Sequence, residues 1–151
     1  MPNEQLDELD LKILEQLNND GRMSYREIGR KLRIALGTVA SRVKALEQKG
    51  IIKGYSVILD HEQLGYDFNA IIEIFVAKGK LVEVEKRLAE RPNVCAVYDV
   101  TGEADALIIA KFRGRRELND FVKNILKMEE VEHTNTHIVF NTVKEDFRLT
   151  R

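Results

Sequence analysis

The chain has 151 residues, 44% of them hydrophobic, with 24 basic against 25 acidic side chains and a formal net charge of −1. That is enough for one ordinary domain or two small ones, and two small ones fit the pattern better. No apolar run reaches the ~18 residues of a membrane span, the acidic opening MPNEQLDELD does not read as a secretory signal, and the single cysteine, Cys95, permits no internal disulfide; the expected location is the cytoplasm.

Residues 7–19, DELDLKILEQLNN, read as a helix. Leu9, Ile13, Leu14 and Leu17 share one face, Leu6 lies just before them, and Asp7, Glu8 and Asp10 suit the positive end of the helix dipole. Its acidic side should face away from any polyanion. From Arg22 to Lys53 the sign reverses, with nine Lys or Arg against two acids, Glu27 and Glu47. A local basic patch on a chain without overall excess points to a polyanionic partner. Ser24 followed by Glu27 is a capping box, so a helix should start at Tyr25 and run through Ile28 to Leu32. After a turn at Arg33, Ile34 and Ala35, a second helix places Leu36, Val39, Val43 and Leu46 on one face and ends at Gly50. Opposite that stripe lie Gly37, Ser41, Lys44, Ala45 and Gln48, flanked by Thr38, Arg42 and Lys49. Small residues every fourth position allow close approach to base edges, while Arg42, Lys44 and Lys49 reach phosphates, as a recognition helix in a major groove requires. A lone amphipathic helix with a charged outer face is ordinarily just solvated; the helix pair and the charge reversal favour DNA. The first helix supplies the apolar surface a two-helix motif lacks, which makes residues 1–53 a three-helix head.

From Ile51 the period becomes that of strands. Residues 54–60, GYSVILD, predict a hinge strand ending at a turn around Asp60, His61 and Glu62. A strand at 70–77, a helix at 81–92 and a strand at 94–100 follow; a strand at 105–112, a helix at 116–128 and a last strand at 137–143 repeat the order. Two β-α-β units joined by a hairpin predict a ferredoxin-like βαββαβ sandwich over residues 61–151, so the fold class is α+β with an N-terminal helix-turn-helix head. Strand 70–77 is apolar on both sides, with Ile71 and Phe75 on one and Ile72, Ile74 and Val76 on the other. Helices cover one sheet face only, so a like subunit is expected over the second. Cys95 falls in an apolar run and is expected to be buried and inert.

Four ordered segments resemble the Lrp/AsnC (feast/famine) family of transcriptional regulators: LDELDLKILEQLNNDGRMSYREIGRKL, TVASRVKALEQKGIIKGYSVILD, VYDVTGEAD and VEHTNTHIVFNTV. The resemblance spans nearly the whole chain. It implies dimers formed through the sheets and assembled further, often to octamers, with a free amino acid bound between dimers at a Gly-x-x-Asp loop. Thr101, Gly102 and Asp105 occupy that loop, and Thr134 and Thr136 match the family's Thr-x-Thr segment. Two departures stand out: Ala35 replaces the usual Ser or Thr at the cap of the second helix of the motif, and Ala104 stands where an aromatic residue is common.

The candidate DNA-binding residues are therefore Ser24, Tyr25, Arg26, Gly37, Thr38, Ser41, Arg42, Lys44, Ala45, Gln48 and Lys49. The candidate effector-binding residues are Thr101, Gly102, Asp105, Thr134 and Thr136. An ammonium would need the Asp105 carboxylate, and an effector carboxylate would need loop amides and hydroxyls. Taken alone, Gly-x-x-Asp makes a plain hairpin turn and the threonines are ordinary strand residues. Two functions remain open: a sequence-specific regulator of double-stranded DNA responding to an amino acid, and a ligand-independent architectural protein that wraps DNA. Catalysis, a cofactor and a metal are not expected. There is no nucleophile motif or phosphate loop, and His133 and His137, four apart in a strand, are separated by roughly 13 Å, too far for one metal.

Overall fold

The computed structural model describes residues 6–148. The outermost parts of the two predicted domains, 1–5 and 149–151, lie outside the described residues. The described chain divides into two compact units, one of residues 6–58 with 145–148 and one of residues 59–144. No helix in it is long and apolar enough to cross a membrane.

The first unit holds α1 (Glu8–Asn19), α2 (Tyr25–Leu32) and α3 (Leu36–Gln48). Beyond their expected dipole role, the opening acids form a capping box. Asp7 accepts the Asp10 amide at 2.8 Å, and Asp10 accepts the Asp7 amide at 3.3 Å. The predicted box of α2 is present too, with Glu27 N–H donating to Ser24 Oγ at 3.2 Å and Ser24 N–H to Glu27 Oε2 at 2.9 Å. α2 ends where Arg33 turns left-handed, at φ 57 and ψ 45, and both the Arg33 and Ile34 amides donate to the Gly29 carbonyl. α3 begins at Ala35 with no side-chain cap, as its methyl group dictates. Ile13, Ile28, Val39 and Val43 form the core, with Leu9, Leu17, Met23, Leu32, Ile34 and Ile52 packed around them. Leu36 departs from its expected place on the core stripe and is 50% exposed. It opens the helix a turn before Val39, and its Cα–Cβ bond tilts toward the helix N-terminus, carrying the side chain off the end of the core.

The predicted hinge strand 54–60 forms no ladder among the described residues. Alternation in sequence is not enough for a strand, because the N–H and C=O rows need a paired neighbour. Tyr55, Val57, Ile58 and Leu59 are exposed along it.

The second unit runs β1 (Phe68–Val76), α4 (Leu81–Ala89), β2 (Val94–Asp99), β3 (Ala106–Phe112), α5 (Arg115–Leu126) and β4 (Val131–Ile138). Its sheet is antiparallel in the order β2-β3-β1-β4, the ferredoxin-like arrangement expected. The last strand lies earlier than residues 137–143. Pairing of β4 with β1 runs from Val76↔Val131 to Ala70↔Ile138, and beyond it Val139 N–H reaches Asn69 O at 2.8 Å. β1 then runs out, and Phe140 and Val143 are left exposed.

Register sorts the two faces. Ala70, Ile72, Ile74 and Val76 lie with Ala106, Ile108 and Ala110 beneath Val84 and Leu88 of α4 and Leu118 and Ile125 of α5. Ile71, Glu73 and Phe75 share the other face with Leu107 and Ile109 of β3 and with His133, Asn135 and His137 of β4. There Phe75 stacks on His133 with ring centroids 3.9 Å apart, and Asn135 and His137 both approach Glu73. Cys95, expected to be buried, is exposed. The β2–β3 register slips between Val94 and Ala96, and the residue inserted at a bulge is left out of the ladder.

Candidate nucleic-acid interface and effector loop

Burial of Val39, Val43 and Leu46 fixes which side of α3 is presented outward. Gly37, Ser41, Lys44, Gln48 and Lys49 are exposed, and Thr38, Arg42 and Ala45 are half-buried. A Cβ placed on Gly37 would meet nothing within 4 Å, so the first turn of this face is open. Ser41 Oγ donates back to the Thr38 carbonyl at 3.1 Å. Ser24, Tyr25 and Arg26 stand exposed at the start of α2, and Arg22, Arg30, Lys31 and Arg33 are exposed in the same unit. The motif thus offers small and polar groups on one helix face with cations around them.

Arg42, expected to reach phosphate, also has partners within the head. Its guanidinium donates to Asp7 and, at 3.1 Å, to Asp10, so it ties α3 to the capping box of α1. Two acids at the start of α1 thus meet the flank of the basic helix. The Asp7 carboxyl is held below the ordinary carboxylate range, first by the Asp10 amide and then by Arg42. An Asp-x-x-Asp at a helix start is readable as a cap; its tie to Arg42 depends on how α1 docks on α3. Glu47 is also engaged, accepting the Tyr55 hydroxyl at 2.9 Å. Partial desolvation of the hydroxyl on this otherwise exposed side chain, together with that carboxylate, pushes the Tyr55 phenol up to about 12.

In the second unit, Thr101 and Gly102 are exposed in the loop between β2 and β3. Gly102 has φ 132, a left-handed backbone that favours glycine. Asp105 closes the loop onto β1, donating its amide to Ile74 O at 3.0 Å and accepting the Val76 amide on Oδ2 at 2.8 Å. Ile74 pairs with Ala106 on one side and Thr134 on the other. Asp105 and Thr134 therefore flank the same end of β1, two strand spacings or roughly 10 Å apart. Thr136 lies opposite Ile72, and both threonines are half-buried on the helix-covered side.

Residues 69–149 match the Lrp/AsnC ligand binding domain, and residues 6–53 match a winged helix-turn-helix DNA-binding domain. The chain belongs to the Lrp/AsnC family. An HTH-type transcriptional regulator of Pyrococcus furiosus is 50% identical to this Lrp/AsnC chain over 145 residues, covering 96% of the chain and 98% of its own length. The HTH-type transcriptional regulator FL11 of Pyrococcus horikoshii is 39% identical over 144 residues, 95% of each. Escherichia coli AsnC superposes with a TM-score of 0.86 at 28% identity, over 93% of this chain and 96% of its own. A transcriptional regulator of Neisseria meningitidis, solved in complex with L-methionine, gives 0.87 at 26% identity over 96% of each chain. The Lrp/AsnC fold and an HTH-type regulatory role are thus shared along nearly the entire length.

Proposed function

We propose that this Lrp/AsnC regulator reads double-stranded DNA with the outer face of α3 and the start of α2. In this reading Gly37, Thr38, Ser41, Ala45 and Gln48 approach base edges while Ser24, Tyr25, Arg26, Lys44 and Lys49 position the head on the backbone. The second unit dimerises through the face of Ile71 and Phe75, assembles into multiples of dimers such as octamers, and binds an amino acid effector near Thr101, Gly102, Asp105, Thr134 and Thr136. The protein acts in the cytoplasm without a catalytic step. The observation that carries the reading is the division of α3 between a buried apolar side and an open, small, cationic side. Footprinting on genomic fragments with and without each protein amino acid tests it. Protection of discrete sites, altered by one amino acid, is the expected result. Uniform coverage would replace it with the architectural role.

Asp105, whose carboxylate already serves β1, bears on the choice between the two readings. An ionised carboxylate has about four acceptor sites, so one amide leaves capacity for an ammonium. Asp105→Asn discriminates: its amide oxygen can keep the Val76 bond while the charge is lost. We expect an intact fold, unchanged DNA binding without ligand, and a ten- to hundredfold loss in amino acid affinity by calorimetry, about 1.5–3 kcal/mol for a hydrogen bond to a charged group. Equal affinity of the two proteins would eliminate Asp105 as the ammonium partner.

A further inference from the structure

We infer that Leu36 is a base-specificity residue, and that the group it reads is the 5-methyl of thymine in the major groove. The inference rests on α3 being the recognition helix and concerns what its first turn recognises. Helices of this motif present their N-terminal residues to base edges. In α3 those residues are small: Ala35 carries one methyl, Gly37 carries nothing and has open space around it, and Thr38, which can read an edge through its hydroxyl, is half-buried. Leu36 is the exception. It is a large apolar side chain, 50% exposed, on a helix whose other large aliphatic residues, Val39, Val43 and Leu46, are buried.

The setting is polar and cationic, with Arg26, Lys44 and Lys49 exposed in the same unit, so charge complementarity points to nucleic acid as the occupant. A leucine can form no hydrogen bond with a base edge. The one apolar group that base pairs display in the major groove is the thymine methyl, and burying a methyl against leucine removes apolar surface of both from water. Phosphate-contacting cations bind every sequence alike; Leu36 adds a preference at one base pair.

Selection from a randomised duplex pool by the full-length protein supplies the probe. Failure to enrich any sequence would defeat base reading by α3 as a whole, and this inference with it. From an enriched duplex, each thymine is replaced in turn by uracil, which removes only the methyl. We expect a three- to tenfold loss of affinity at one position of each half-site and little effect elsewhere. Leu36→Ala should bind the thymine duplex with that same loss and show no further loss with uracil. Leu36→Gln should move the preference at that position toward adenine, whose N6 and N7 suit an amide. Enrichment followed by indifference to uracil at every position, or an equal uracil penalty in Leu36→Ala, would overturn the assignment while leaving the recognition helix in place.

Discussion

At the scale of single residues, Arg42 shows how one side chain can serve two different contacts. Its place on the flank of α3 follows from 3.6-residue periodicity. Its partners, Asp7 and Asp10, sit more than thirty positions earlier in the chain. With the guanidinium occupied, Arg42→Ala should lower the Tm of the head and leave the salt slope of DNA binding unchanged. A slope shallower by about one would show instead that Arg42 exchanges carboxylates for a phosphate when DNA arrives. The tie is also pH-sensitive. Because the folded Asp7 carboxyl is held below its unfolded value, its contribution is present above pH ~4 and is lost as the pH falls through the folded value. Asp7→Asn should therefore flatten the acid limb of the head's stability curve, read by circular dichroism against pH.

At the scale of elements, the helix-turn-helix is held by local devices of unequal quality. The Ser24–Glu27 box was legible because both partners sit within one turn. So was the missing cap at Ala35, and Ala35→Ser should stabilise the head by about 1 kcal/mol. The turn itself was less legible. A Cβ on Gly29 would stand 2.8 Å from the Ile34 carbonyl, a backbone atom that cannot swing aside. Gly29→Ala should destabilise by about 1–3 kcal/mol and reduce DNA affinity as α3 is displaced; thermal melts of the two variants, moving in opposite directions, check both. Periodicity places Leu36 on the core stripe yet it is exposed, because a period describes a stripe but not where the neighbouring helices stop covering it.

At the scale of the molecule, residues 54–151 produced alone should form a dimer or larger oligomer. Ile71, Phe75, Leu107 and Ile109 leave apolar surface partly open on the sheet face turned from α4 and α5. Light scattering that finds a stable monomer at micromolar concentration would defeat sheet-to-sheet dimerisation. It would also remove the two-fold relation by which paired heads read half-sites one turn apart. The chain alone determined the number, kind and order of nearly all its helices and strands, because periodicity, caps and turns are relations between near neighbours. It also located the basic motif and the Thr101–Asp105 loop. Only the tertiary structure decided the bounds of β4, the exposure of Cys95, the lack of a ladder on residues 54–60 among the described residues, and the partners of Arg42 and Asp105. Each depends on which distant segment supplies a ladder, a charge or an amide, and no local period encodes that.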